Sequence, residues 1–215
     1  MEWTDEGIVI GVRRHGESSA IVELMTREHG RHLGLLRGAT SKRHAPLVQP
    51  GNVMRAVWRA RLEGQLGLYS LEALTARTDL MIRVPHAAFG LSHMASLLHL
   101  LAERDPHPGL YEVLAAILGA IEDPDSAGVL LARFELAMLA ELGFGLELDA
   151  CAATGGRNDL VFVSPRTGRA VSEGVFLTQR IFEPRGMKLP DARDSFLSAL
   201  KREAARASPF RRSHQ

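Results

Sequence analysis

The sequence predicts an α+β protein of two units: a small five-stranded β-barrel over residues 1–80, then a helical bundle over 81–215. Three observations carry this. Apolar residues alternate with period two in short runs up to about residue 75. Glycine and proline punctuate those runs. Beyond Pro85 the period changes to that of helices.

Ile8, Ile10 and Val12 mark a first strand near 7–13, and Ala20, Val22 and Leu24 a second. Residues 14–18 between them read as a turn. A third strand is expected over 32–37, with Gly30 and Gly34 allowing a bulge. A polar loop follows over 38–44, and Pro46 and Pro50 bracket a short apolar link. The fourth strand, 53–61, places Met54, Ala56 and Trp58 on one face and Arg55, Val57, Arg59 and Arg61 on the other. A fifth spans 67–74. Five short strands with a link between the third and fourth suggest a closed barrel of OB type.

The helices come next. Residues 86–104 are rich in Leu, Met and Ala. Leu110, Val113, Leu114, Ile117, Leu118 and Ile121 form one apolar stripe. Asp123-Pro124-Asp125 stops that helix, and Ser126 or Asp125 is expected to cap the next, which ends near Leu142 before Gly143. Short links predict a bundle. Residues 144–182 read as an irregular hairpin insertion. A last helix from Asp191 to Arg206 turns Phe196, Leu197 and Leu200 inward.

The net charge of +1 says nothing by itself, but its distribution does. Residues 1–80 carry +2, 81–182 carry −5 and 183–215 carry +4. One cysteine, Cys151, excludes an intramolecular disulfide and fits a reducing compartment. The amino end lacks a signal-peptide pattern, and no apolar run approaches the roughly 18 residues that span a bilayer. A soluble cytoplasmic protein with no membrane association is expected.

Chemistry is sparse. Phosphate-loop, nucleophile-elbow, HExxH and Cys-x-x-Cys patterns are all missing. Glu122, Asp123 and Asp125 could support a metal-dependent nuclease, but read better as turn and capping residues. His93 and His99 are six apart and do not share a helix face. His15, His29, His32 and His44 lie among arginines and glycines and could aid anion binding, without forming a triad. No enzyme and no cofactor is expected.

The basic set is the strongest signal. Between Gly30 and Arg61 the chain has no acid and holds Arg31, Arg37, Lys42, Arg43, Arg55, Arg59 and Arg61. These cations, extended by Arg13 and Arg14, are the candidate DNA-binding residues. Trp58 could stack on a base, but its parity opposes the arginines and favours the core.

The run LLRGATSKRHAPLVQPGNVMRAVWRAR, the segment ARFELAMLAELGFGLELDACAATGGRNDLVFVSPRTGRAVS and the run PDARDSFLSALKR together resemble the RecO family of bacterial recombination mediators, in order over nearly the whole chain. The resemblance implies an amino-terminal OB fold, a helical second domain and no ordinary catalytic activity. It implies binding of single- and double-stranded DNA, annealing of complementary strands, and help in loading recombinase onto strands coated by single-strand binding protein. The implied partners are RecR and the acidic carboxy-terminal tail of that binding protein; the implied place is the bacterial cytoplasm, at the nucleoid. Some members carry a four-cysteine zinc site after the central helix. Here Thr154 stands where a second Cys would follow Cys151, and Ser172 is the nearest polar residue to the later pair, so no zinc is expected. An apolar pocket for the tail would need a basic rim, for which Arg104, Arg133, Lys201, Arg202 and Arg206 are candidates. The reading from another class is an adaptor that binds protein alone. About five phosphate contacts on single-stranded DNA would give a slope near −3.5 of log K against log salt.

Overall fold

The computed structural model describes residues 1–42, 44–62 and 64–146, and positions 191, 192, 195, 196, 198, 199 and 202. Five strands come first: β1 (Glu2–His15), β2 (Ser19–Thr26), β3 (Arg31–Leu36), β4 (Val53–Arg59) and β5 (Leu68–Thr75). They close into a barrel in the order β1-β2-β3-β5-β4, with β4 returning to β1. All pairings are antiparallel except β3 with β5, which meet in parallel at Leu35 and Leu68 alone.

The strand expectations hold in position. β1, however, starts five residues earlier than expected and runs to His15, because its first half pairs with β4 and its second with β2. The register shifts between Val9 and Gly11. This bulge changes which parity faces the interior. Val9 joins the barrel interior, while Ile8 and Ile10 pack outward among the helices. Val12, expected to continue their face, pairs with Val22 and is 40% exposed.

The barrel interior holds Val9, Ala20, Val22, Leu24, Leu36, Met54, Ala56, Trp58 and Tyr69, closed below by Ala39 and Val48 of the β3–β4 loop. Trp58 is core, as its parity indicates, and its Nε1 donates to Leu66 O at 2.9 Å. The two large rings fit because glycines oppose them. A Cβ on Gly34 would lie 2.5 Å from Tyr69, and one on Gly67 would lie 2.4 Å from the Trp58 ring. Gly67 also has φ +66°.

Four helices follow: α1 (Thr78–Arg83), α2 (Pro85–Leu98), α3 (Pro108–Ala120) and α4 (Pro124–Glu141). α1 escaped the sequence reading. The expected boundary between residues 80 and 81 falls inside it. Its signals are local: Asp79 in the first turn pairs with Arg83 one turn on, at 2.7 Å. α2 stops at Leu98, six residues before its expected end, because the following link must reach β3, where Glu103 bridges Arg31. The cap of α4 is Asp123, not Ser126 or Asp125; its carboxylate accepts from Asp125 N at 3.2 Å and from the Ser126 hydroxyl. Gly143, at φ +80°, ends α4 as expected. The described residues between 191 and 202 are helical. Phe196 is buried near His86, Gly90 and Ile121; Leu197, Leu200 and most of the expected hairpin lie outside the described residues.

The helices pack on the barrel's outer wall. Ile8, Ile10, Met25 and Val53 share one core with Leu91, Met94, Leu98, Leu110, Tyr111 and Leu114. Polar pins reinforce it. Tyr111 donates to Glu6 Oε1 at 2.7 Å, and Arg27 lies 4.9 Å over the Tyr111 ring while pairing with Glu112 at 2.9 Å. Asn52, almost fully buried, donates to Pro46 O and Leu47 O; its side-chain oxygen accepts from Arg77 N at 2.7 Å.

Gly67→Ala should cost roughly 3 kcal/mol, combining a left-handed backbone with a clash against Trp58; urea unfolding measures it. His32 supplies a pH test. Burial first, and the charge of Arg104 second, push its imidazole down to about 4. The unfolded chain takes up that proton near 6.5, so stability should fall as pH drops from about 6.5 to about 4. His32→Gln should remove that component of the slope, read from urea midpoints across the window.

Candidate nucleic-acid interface

The sequence-predicted cations separate into three environments. The first lies where β1, β2 and β3 come together at the β1–β2 turn. Arg13 faces Ile21, which faces Leu35; Arg14 faces Ala20, which faces Leu36. Neighbouring strands lie about 4.8 Å apart, so Arg13 and the end of β3 are about 10 Å from each other across β2. Arg37 follows β3 directly, and the loop carrying Lys42 is tied back by Thr40 N donating to Ser18 O at 3.3 Å. Arg13, Arg14, Arg37 and Lys42 are exposed and form no ion pair among the described residues. Arg43 lies outside the described residues.

The second group is on β4. Arg55 and Arg59 point outward as their parity predicts, but they meet acids that the linear sequence hides. Register places Glu2 beside Arg59 and both Glu6 and Glu72 beside Arg55. Arg59 pairs with Glu2 at 2.8 Å and Arg55 with Glu72 at 3.7 Å. The bond with Arg59 lowers the Glu2 carboxyl, and the same bond raises the guanidinium. All four side chains are more than half exposed. Such pairs hold weakly, so both guanidinium groups remain exchangeable. Arg61, just past β4, is exposed and unpaired among the described residues, beside a cleft of about 500 Å³ lined by Glu2, Arg59, Gln65 and Leu68.

Arg31 belongs to a third environment. It contacts Glu23 at 2.6 Å and donates to Leu101 O at 3.2 Å, with 15% of its side chain exposed. Burial acts to raise the Glu23 carboxyl, but bonds from His99 and Arg31 outweigh it and hold it below its ordinary range. Arg31 is thus a tie between the barrel and the helical half rather than a free cation.

An outward row links the first two groups. Arg13, Ile21, Leu35, Leu68 and Arg59 are successive register partners around β1, β2, β3, β5 and β4. Its middle is aliphatic, and its ends are guanidinium groups. Trp58 and Tyr69 are buried inside, and Trp3 is stacked between His29, at 4.2 Å, and Trp58, at 5.7 Å. The row therefore offers charge and aliphatic surface, with no ring in it for a base to stack on. Sequence reasoning missed Ile21, Leu35 and Leu68; only the strand order reveals that they are neighbours.

The histidines have local employment. His29 contacts Asp5 at 2.9 Å, His32 lies inside the barrel, and His44 bonds Gly38 O at 3.1 Å. His93 is buried against Glu135 at 2.9 Å, and His99 meets Glu23 at 3.0 Å. Among the described residues no cluster of His, Cys, Asp or Glu could hold a metal; Cys151, Thr154 and Ser172 lie outside them. Of the cations proposed for a partner, Arg133 and Arg202 are exposed, and Arg104 is turned toward the barrel. Lys201 and Arg206 lie outside the described residues. No described helix is long and apolar enough to cross a membrane.

Comparison with known proteins agrees with this architecture. The family model described as Recombination protein O N terminal matches residues 1–76, and Recombination protein O C terminal matches residues 84–201. A DNA repair protein RecO of Xanthobacter autotrophicus is 54% identical, with 96% of this chain and all of that protein covered. Proteins of the same name from Rhodopseudomonas palustris strain HaA2 and Bradyrhizobium sp. strain BTAi1 are 48% and 47% identical, over 97% and 96% of this chain and 99% and 98% of theirs. None of these names carries an enzymatic activity. With both halves matched in order and identity near one half along the whole length, the chain belongs to the RecO family.

Proposed function

We propose that this protein is a DNA-binding recombination mediator in DNA repair. On this reading it anneals complementary single strands and assists recombinase loading onto strands coated by single-strand binding protein. The observation that carries the reading is the group Arg13, Arg14, Arg37 and Lys42, brought to the β1–β2 turn by three adjacent strands, exposed, and without an ion pair among the described residues. The relatives' printed name supports the repair role. The strand order supports an OB-type barrel as the first domain, with the helices as the second.

The chemistry needs no acid, base or metal. Two single strands repel through their phosphates; cations along the barrel offset part of that charge and let pairing proceed. Backbone contacts carry no sequence information, so base identity should matter little. Single- and double-stranded DNA are both expected ligands, because the outward row presents no aromatic ring to select unstacked bases. RecR and the acidic tail of single-strand binding protein are the proposed partners, with Arg133 and Arg202 as candidate contacts for the tail. The setting is the bacterial cytoplasm, at the nucleoid.

One observation favours an adaptor that binds only protein: Arg55 and Arg59 already have carboxylate neighbours. Salt titration of single-stranded oligonucleotide binding separates the two. An adaptor gives no salt-sensitive shift, whereas four engaged cations give a slope near −2.8. Arg37→Gln with Lys42→Gln should flatten the slope by about 1.4 and slow strand annealing. Glu72→Gln, which releases Arg55, should tighten binding at low salt by roughly two- to fivefold, since removing a rim acid strengthens the local positive potential; unchanged affinity would exclude Arg55 from the surface.

A further inference from the structure

Arg104 is the only non-glycine residue with positive φ among the described residues, at φ 67°. Side chains rarely adopt this backbone, and such outliers persist where surrounding contacts enforce them. Here the contacts are specific. The link after α2 runs beside the start of β3, where β5 does not reach. Glu103 bridges Arg31, and Arg104 N donates to Arg31 O at 2.8 Å. The approach is close enough that a Cβ on Gly30 would meet Asp105 O at 1.8 Å.

The side chain then reaches the barrel. Its Nη2 donates to Gln65 O at 2.7 Å, and its guanidinium carbon lies 5.6 Å from the centre of the Trp58 ring. Gln65 sits in the β4–β5 loop, residues 60–67, which carries Arg61. That loop has other anchors at its ends: Ala60 N to Met1 O at 3.0 Å, Trp58 Nε1 to Leu66 O at 2.9 Å, and Leu35 N to Gly67 O at 3.0 Å. Arg104 supplies the hold from the helical half. A glycine would fit the backbone without strain, so the presence of arginine points to its side chain.

We propose that Arg104 is a positioning residue for the nucleic-acid surface: reaching from the helical half, it holds the β4–β5 loop so that Arg61 stands in line with the outward row of the barrel. The proposal rests on the DNA-binding reading and assigns Arg104 no phosphate of its own. Through it, the loop's order depends on the link between α2 and α3.

The test uses the full chain with Arg104→Gly, which relieves the backbone and so preserves folding, and with Arg104→Ala, which does not. Arg104→Gly should melt about 2–4 °C above Arg104→Ala. In both variants amide exchange across residues 60–62 and 64–67 should rise on the order of tenfold. Binding of a single-stranded oligonucleotide supplies the functional readout, in a double-mutant cycle with Arg61→Gln. Each single change should weaken binding about three- to tenfold, and the double variant should be little weaker than either, because a misplaced Arg61 has nothing left to lose. Additive losses would make Arg104 an independent phosphate contact and overturn the proposal, as would unchanged exchange in the loop. Should Arg37→Gln with Lys42→Gln also leave binding untouched, the DNA reading itself falls; if that pair weakens binding while the cycle is additive, only the role given to Arg104 falls.

Discussion

The structure depends on β1 being buried on both faces. Val9 fills the barrel while Ile8 and Ile10, one residue to either side, fill the core shared with the helices. A barrel of this size on its own would leave Ile8, Ile10, Met25 and Val53 in water. At about 25 cal/mol per Å² of apolar surface, that exposure is a considerable penalty. Barrel and helices are therefore two sequence units sharing one interface core. The Tyr111–Glu6 bond, the Asn52 node and the Arg31–Glu23–His99 group pin it at separate points. The cationic strands inherit their placement from this packing, since the wall that meets the helices cannot also meet a polyanion.

Much of the fold was legible because period-two alternation survives wherever one face of a strand is buried. Met54, Ala56 and Trp58 against Arg55 and Arg59 is the clearest case, and the structure places each on its expected side. The first strand was harder. Its bulge inserts one extra residue, Ile10, between the pairs of Val9 and Gly11, so a single-parity reading carries Val12 onto the face of Ile10. α1 is too short for a periodic signal, and the end of α2 is set by a long-range bridge that leaves no local mark. The capping of α4 was misplaced by two or three residues within a cluster of good caps, where backbone geometry alone decides.

The candidate site was half legible. Residue type and exposure could be read for the described DNA-binding candidates other than Arg31. Pairing could not, because a window free of acids in sequence need not be free of them in space. β4 borrows Glu2 from β1 and Glu72 from β5, and Arg31 borrows Glu23 from β2. Arg13, Arg14, Arg37 and Lys42 escape this because register sets Arg13 beside Ile21 and Arg14 beside Ala20, while Arg37 and Lys42 lie beyond the end of β3. Arg104 shows the opposite case: the sequence places it in a helix, and its positive φ excludes that.

The paired guanidinium groups on β4 have a bearing on how firmly such a surface can hold a strand. A phosphate that takes Arg59 or Arg55 displaces Glu2 or Glu72, and each orphaned carboxylate stays tethered a few ångströms away, repelling the anion that replaced it. A soluble counter-ion would simply diffuse off. On the proposed reading, those tethered acids cap the grip and quicken release, a useful trait in a protein whose task is to hand a strand onward.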